Sequence, residues 1–69
     1  MKISARNQIP GKIVEVVKGA TTAHVKIDIG GGTIITASIT NAAVDDLQLK
    51  AGGTATVIVK ASDVMVGVS

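Results

Sequence analysis

The stretch TIITASITNAAVDDLQLKAGGTATVIVK, residues 33–60, changes period midway, and that change decides the fold. Thr33 to Thr40 alternates, with Ile35, Ala37 and Ile39 on one face, which is the period of a strand. Asn41-Ala42-Ala43-Val44-Asp45-Asp46-Leu47 opens on a capping residue, Thr40 or Asn41, and spaces Val44 and Leu47 three apart. This predicts a helix of about two turns, with Asp45 and Asp46 near its positive end. Lys50-Ala51-Gly52-Gly53 is read as its stop, and Thr54 to Lys60 resumes as a strand.

Outward from this segment the pattern is strand again. Ala23 to Ile29 alternates, with Val25, Ile27 and Ile29 facing in and His24, Lys26 and Asp28 facing out. Gly30-Gly31-Gly32 is a turn, and Gly19-Ala20-Thr21-Thr22 is a hairpin-length link back to a strand over Lys12 to Lys18. Met1 to Ala5 is expected as a short first strand. Arg6 to Gly11 is expected to interrupt it, because Pro10 cannot donate to a ladder and Gly11 bends freely. After the long segment, Ala61-Ser62-Asp63 reads as a turn and Val64 to Val68 as a last strand. The expected fold is all-β, a five-stranded Greek-key barrel of the OB-fold type with one short helix between strands 3 and 4. A small SH3-like barrel would lack the helix. Residues 1–69 are expected to form a single domain.

Composition removes most functions. The chain has no Cys, so disulfide scaffolds, thiolate metal sites and thiol nucleophiles are out. Phe, Tyr and Trp are also absent, although 26 of the 69 residues are β-branched. A chain of this size buries only about 60% of its unfolded surface, and no ring contributes the ~150–250 Å² that an aromatic residue supplies. Oligomerisation is therefore expected. Binding of single-stranded nucleic acid needs aromatic platforms worth ~1–3 kcal/mol per stacked base. With none of these, one Arg and a net charge of +2, no nucleic-acid partner is expected. The longest uncharged run, Ile29 to Val44, is broken by three glycines and Asn41, so no membrane partner is expected either. Only Ile3-Ser4-Ala5 lies between Lys2 and Arg6, too little for a signal-peptide core, which makes the expected location cytoplasmic.

Catalysis also lacks its parts. His24 is the only histidine, and Asp28 lies roughly 13 Å away along the same strand face at ~3.3 Å per residue. The five carboxylates show no metal-ligand spacing, and the glycine triplet joins two strands where a phosphate loop would open a helix. No enzyme activity, cofactor or directly bound metal cation is expected. What remains is a set of hydrogen-bond donors: Ser4 and Arg6 at the first break, Thr40 and Asn41 with the Ala42 and Ala43 amides at the helix start, and Lys60-Ala61-Ser62 after the fourth strand. Charged donors, hydroxyls and free amides suit a fully ionised tetrahedral oxyanion. Taken singly, each also reads as a helix cap, an edge residue or a blunted strand end.

The run Ser4-Ala5-Arg6-Asn7-Gln8-Ile9-Pro10-Gly11-Lys12-Ile13 resembles the Ser-Ala-Arg-Asn-Gln signature of the molbindins, the Mop-type molybdate-binding proteins related to transport-associated OB domains. The likeness continues through Ile39-Thr40 and Val59-Lys60-Ala61 and covers essentially the whole chain. It implies an OB-fold, a homo-oligomer built as a trimer of dimers, hence a hexamer, and molybdate or tungstate held at subunit interfaces. It further implies that Ser4, Ala5 and Arg6 of one subunit meet the Thr40–Ala43 helix start and Lys60-Ala61 of a neighbour. Ser62 stands where relatives vary. Asp45 and Asp63 are expected to point away from the dianion. The resulting expectation is cytoplasmic molybdate or tungstate binding and storage. The alternatives are another oxyanion, sulfate or phosphate, and a purely structural interaction module.

Overall fold

β1 spans Asn7–Lys18 and changes neighbour partway along its length. In the computed structural model, which describes residues 1–69, Asn7 to Lys12 pair with β4 (Thr54–Val59), and Lys12 to Lys18 pair with β2 (Thr22–Asp28). Lys12 is opposite both Asp28 and Thr54. β2 also pairs with β3 (Ile34–Thr40), giving one antiparallel sheet in the order β3-β2-β1-β4. The sheet curls into a half-barrel around Ile13, Ala23, Val25, Ile27, Val44 and Val57, the only fully buried residues.

The expected break at Arg6–Gly11 does not occur. Asn7–Gly11 has a neighbour on one side only, and proline is tolerated in a strand whose other side is open. Gly11 is required by close approach. A Cβ there would lie 2.6 Å from Ile27 Cγ2 and 2.7 Å from the Asp28 carbonyl oxygen. A bulge follows: Ile13 faces Ile27 and Glu15 faces Lys26, so Val14 is the extra residue. The bulge shifts the inward parity from Ile9 and Ile13 to Val16 and leaves Val14 and Val17 exposed.

Helix α1 (Asn41–Asp46) follows β3 where the change of period placed it. It buries Val44, whereas Leu47 is exposed at its C-cap. Its stop comes earlier than the Gly52-Gly53 pair. Gln48 turns into the left-handed region at φ 55°, and the Leu49 and Gln48 amides donate back to the Val44 and Asp45 carbonyls. Gly52 and Gly53 instead bond the backbone of Ile13, at 2.8 Å each, and lead β1 and β4 into register.

One expected strand and the leading part of the interrupted first strand are absent. Met1 to Ala5 forms no ladder, and Val64 to Val68 runs free beyond a single 3₁₀ turn at Ala61–Asp63. The chain therefore supplies four strands where five were expected. The apolar alternation of Val64, Val66 and Val68 meets no edge within its own chain, and Met65, Val66 and Val68 are 93%, 88% and 96% exposed.

Candidate functional site

An open cleft of about 700 Å³ lies where the chain enters β1 and leaves β4. Ser4, Ala5 and Arg6 form one wall, and Ile58, Lys60, Ala61, Ser62 and Asp63 form the other. Strand register brings the walls together, because Asn7 and Val59 are opposite one another. Two side chains that the donor inventory passed over fix the loop. Asn7 Nδ2 donates to the Val59 carbonyl oxygen at 3.1 Å, and Gln8 Nε2 donates to the Ala5 carbonyl oxygen at 2.8 Å. Both belong to the Ser-Ala-Arg-Asn-Gln run, which was their one signal. The second wall turns tightly because the Asp63 N–H donates to the Lys60 carbonyl oxygen at 2.9 Å.

Arg6 and Lys60 line this cleft without a carboxylate partner. The ion pairs of the molecule are Lys18 with Asp45 and Lys26 with Glu15. Asp45 is thus paired with Lys18 and lies outside this cleft. Asp63 lines the cleft with the two cations. The Ser4 and Ser62 hydroxyls complete a surface rich in donors, exposed throughout except for half-buried Ala5.

The helix start is elsewhere. Thr40 pairs with Thr22 at the far end of β1, where the Asn41 N–H donates to the Thr21 carbonyl oxygen and Asn41 Nδ2 to the Gly19 carbonyl oxygen, both at 2.9 Å. The Ala43 N–H donates to Thr40 Oγ1 at 3.0 Å, so this amide is engaged in the cap. Ala42, in the first turn, has no intrahelical carbonyl for its N–H. One chain therefore brings together Ser4, Ala5, Arg6, Lys60, Ala61 and Ser62, and leaves Thr40, Asn41, Ala42 and Ala43 at the other end of β1.

Chemically the cleft can hold an anion. No group of three or more His, Cys, Asp or Glu gathers to hold a metal ion. His24 lies on β2 between Val17 and Ser38, exposed and outside the cleft. No helix is long and apolar enough to cross a membrane.

Residues 3–66 match the TOBE domain family. A probable molybdenum-pterin-binding protein of Haemophilus influenzae is 52% identical over 68 residues, covering 99% of each chain. The solved molybdate-binding protein of Sporomusa ovata superposes with a TM-score of 0.89 at 41% identity, covering 96% of this chain and 97% of that one. The cytoplasmic molybdate-binding protein ModG, solved with molybdate bound, gives 0.93 at 40% identity, covering all of this chain and 49% of ModG. These similar proteins are named for binding, and none for catalysis. The TOBE match over nearly the whole sequence and the full-length likeness to a molybdenum-pterin-binding protein place the chain in the TOBE-domain family, among its Mop-type members.

Proposed function

We propose that the chain binds molybdate, or the isostructural tungstate, and stores it in the cytoplasm without chemical change. One observation carries the reading: Arg6 and Lys60 share a cleft with the Ser4 and Ser62 hydroxyls, and neither cation has a carboxylate partner. A fully deprotonated tetrahedral dianion accepts hydrogen bonds and donates none, so its site must be built of donors. Charge-assisted bonds are roughly twice as strong as neutral ones. Ala5 and Ala61 contribute backbone to the two walls.

The site is completed across an interface. Thr40, Asn41, Ala42 and Ala43 lie at the opposite end of β1 from the cleft, so in this reading a neighbouring copy presents its helix start. Residues 1–69 then act as one domain of a homo-oligomer, a hexamer arranged as a trimer of dimers. Binding stabilises the assembly by mass action, since only the folded oligomer holds the anion.

A second reading draws on Asp63. A carboxylate in the cleft can accept a hydrogen bond from the O–H of hydrogen phosphate, a donor that fully deprotonated molybdate lacks. Calorimetric titration with molybdate, tungstate, sulfate and phosphate separates the two. Tight binding of molybdate and tungstate with weak sulfate and phosphate is expected. Preference for phosphate would transfer the site to the second reading, and no heat with any of the four would remove both.

A further inference from the structure

β4 carries one residue that its own fold does not explain. Ala55, Val57 and Val59 pack in or against the core, while Thr54, Thr56 and Ile58 alternate with them on the exposed side. The exposed row thus reads threonine, threonine, isoleucine. Ile58 is 47% exposed and does not pack against the core cluster. A third threonine would suit an exposed strand position equally well, since both residues are β-branched. Of the three positions, only 58 lines the anion cleft.

Ala5, Ala61 and Ile58 are the apolar residues of that cleft, and Ile58 alone carries more than a methyl group. It stands opposite Gln8 in the ladder, whose Nε2 donates to the Ala5 carbonyl oxygen at 2.8 Å. In a cleft shared with Arg6 and Lys60, position 58 therefore presents hydrocarbon where a threonine would present a hydroxyl. Tetrahedral oxodianions share their charge and their acceptor geometry, and they differ in radius. The cost of stripping water from an ion rises with the square of its charge and falls with its radius. Sulfate is smaller than molybdate, so it loses more at a wall that cannot replace a water with a hydrogen bond. At about 700 Å³ the open cleft is far larger than either ion, so the walls of one chain do not select by size alone.

We infer that Ile58 is a specificity-determining residue: it withholds a donor from the cleft and so disfavours small, strongly hydrated oxyanions relative to molybdate and tungstate. This role deepens the oxyanion reading above, on which it rests. Arg6 and Lys60 attract every dianion alike, and Ile58 sets which of them loses least on leaving water. Molybdate and tungstate nearly coincide in radius, so Ile58 does not separate them.

Two variants of the full-length chain test this. Ile58→Thr supplies the missing hydroxyl, and Ile58→Val trims the side chain without adding one. Calorimetric titration with molybdate, alone and in competition with sulfate, gives the affinity ratio for each protein. Ile58→Thr is expected to strengthen sulfate binding about two- to tenfold, with a smaller change for molybdate, so the ratio falls. Ile58→Val is expected to keep the parent ratio, and tungstate is expected to track molybdate in all three proteins. An unchanged ratio in Ile58→Thr would overturn the inference. So would an equal fall in Ile58→Val, which would assign the effect to volume, or a tungstate shift as large as that of sulfate. Sedimentation without ligand checks for a packing role. A smaller species for Ile58→Thr with the ratio unmoved would make Ile58 an interface residue only. Molybdate binding by the parent with an unmoved ratio in Ile58→Thr retires this inference alone. No binding of any oxyanion by the parent retires it together with the storage reading.

Discussion

Asn7 donates from Nδ2 to the carbonyl oxygen of Val59 at 3.1 Å, which ties the residue after Arg6 to the residue before Lys60. The bond sets the spacing of the two cations from the backbone outward. Its loss costs about 0.5–1.5 kcal/mol, so Asn7→Ala is expected to weaken molybdate binding roughly two- to tenfold, with the far-UV spectrum unchanged. Calorimetry reads the effect. Unaltered affinity would mean that ladder pairing alone holds the cleft walls.

Removing either cation should cost more. A hydrogen bond to a charged group contributes about 1.5–3 kcal/mol, so Arg6→Ala and Lys60→Ala are each expected to weaken molybdate binding roughly 10- to 150-fold. Lys26→Ala deletes the same formal charge from the outer face of β2, where it pairs with Glu15 at 3.9 Å. Screening over ~8 Å at physiological salt makes that change small. Three equal, small losses would reduce the cleft to a basic surface.

Asp63 acts in the opposite direction. In water, a single negative charge opposes a dianion by roughly 1 kcal/mol at an illustrative ~7 Å. Asp63→Asn is therefore expected to tighten molybdate binding about threefold to tenfold at low salt, with the gain shrinking as salt rises. Titrations at two ionic strengths test this, and weakened binding would identify Asp63 as a positioning group for the loop.

Gly11 limits stability where β1 crosses from β4 to β2. Because an added Cβ meets Ile27 and the Asp28 backbone, Gly11→Ala is expected to destabilise by about 1–3 kcal/mol. For a domain of this size that lowers Tm by roughly 4–8 °C per kcal/mol. Thermal melts at matched protein concentration measure it, and an unchanged Tm would show that β2 yields locally.

The regular parts of the fold were legible because their causes are local. The alternation of Ala23 to Ile29 and the change of period at Asn41 each depend on a few neighbouring side chains, and β2 and α1 lie where those patterns put them. Pro10 was misread because its cost in a strand depends on whether the far side has a neighbour, and pairing with β4 is a long-range fact. Val64 to Val68 has the pattern of a strand but pairs with neither edge of its own sheet. In the cleft, Arg6 and Lys60 were visible as donors, and register accounts for their meeting. The place of Asp63 on the cleft wall and the capture of the Ala43 amide by Thr40 depend on local backbone and side-chain torsions that composition does not encode.

Sharing β1 between two neighbours also orders events in time. β1, β2 and β3 form a meander joined by short turns, whereas the bond from Asn7 to Val59 joins positions 52 apart. Closing the longer loop costs more chain entropy and delays the contact. Pulse-labelled hydrogen exchange is therefore expected to protect amides of the meander before those of β4. The proposed anion cleft needs the end of β4, so it is expected among the last features to form. A newly made chain is blind to its ligand until that strand has docked.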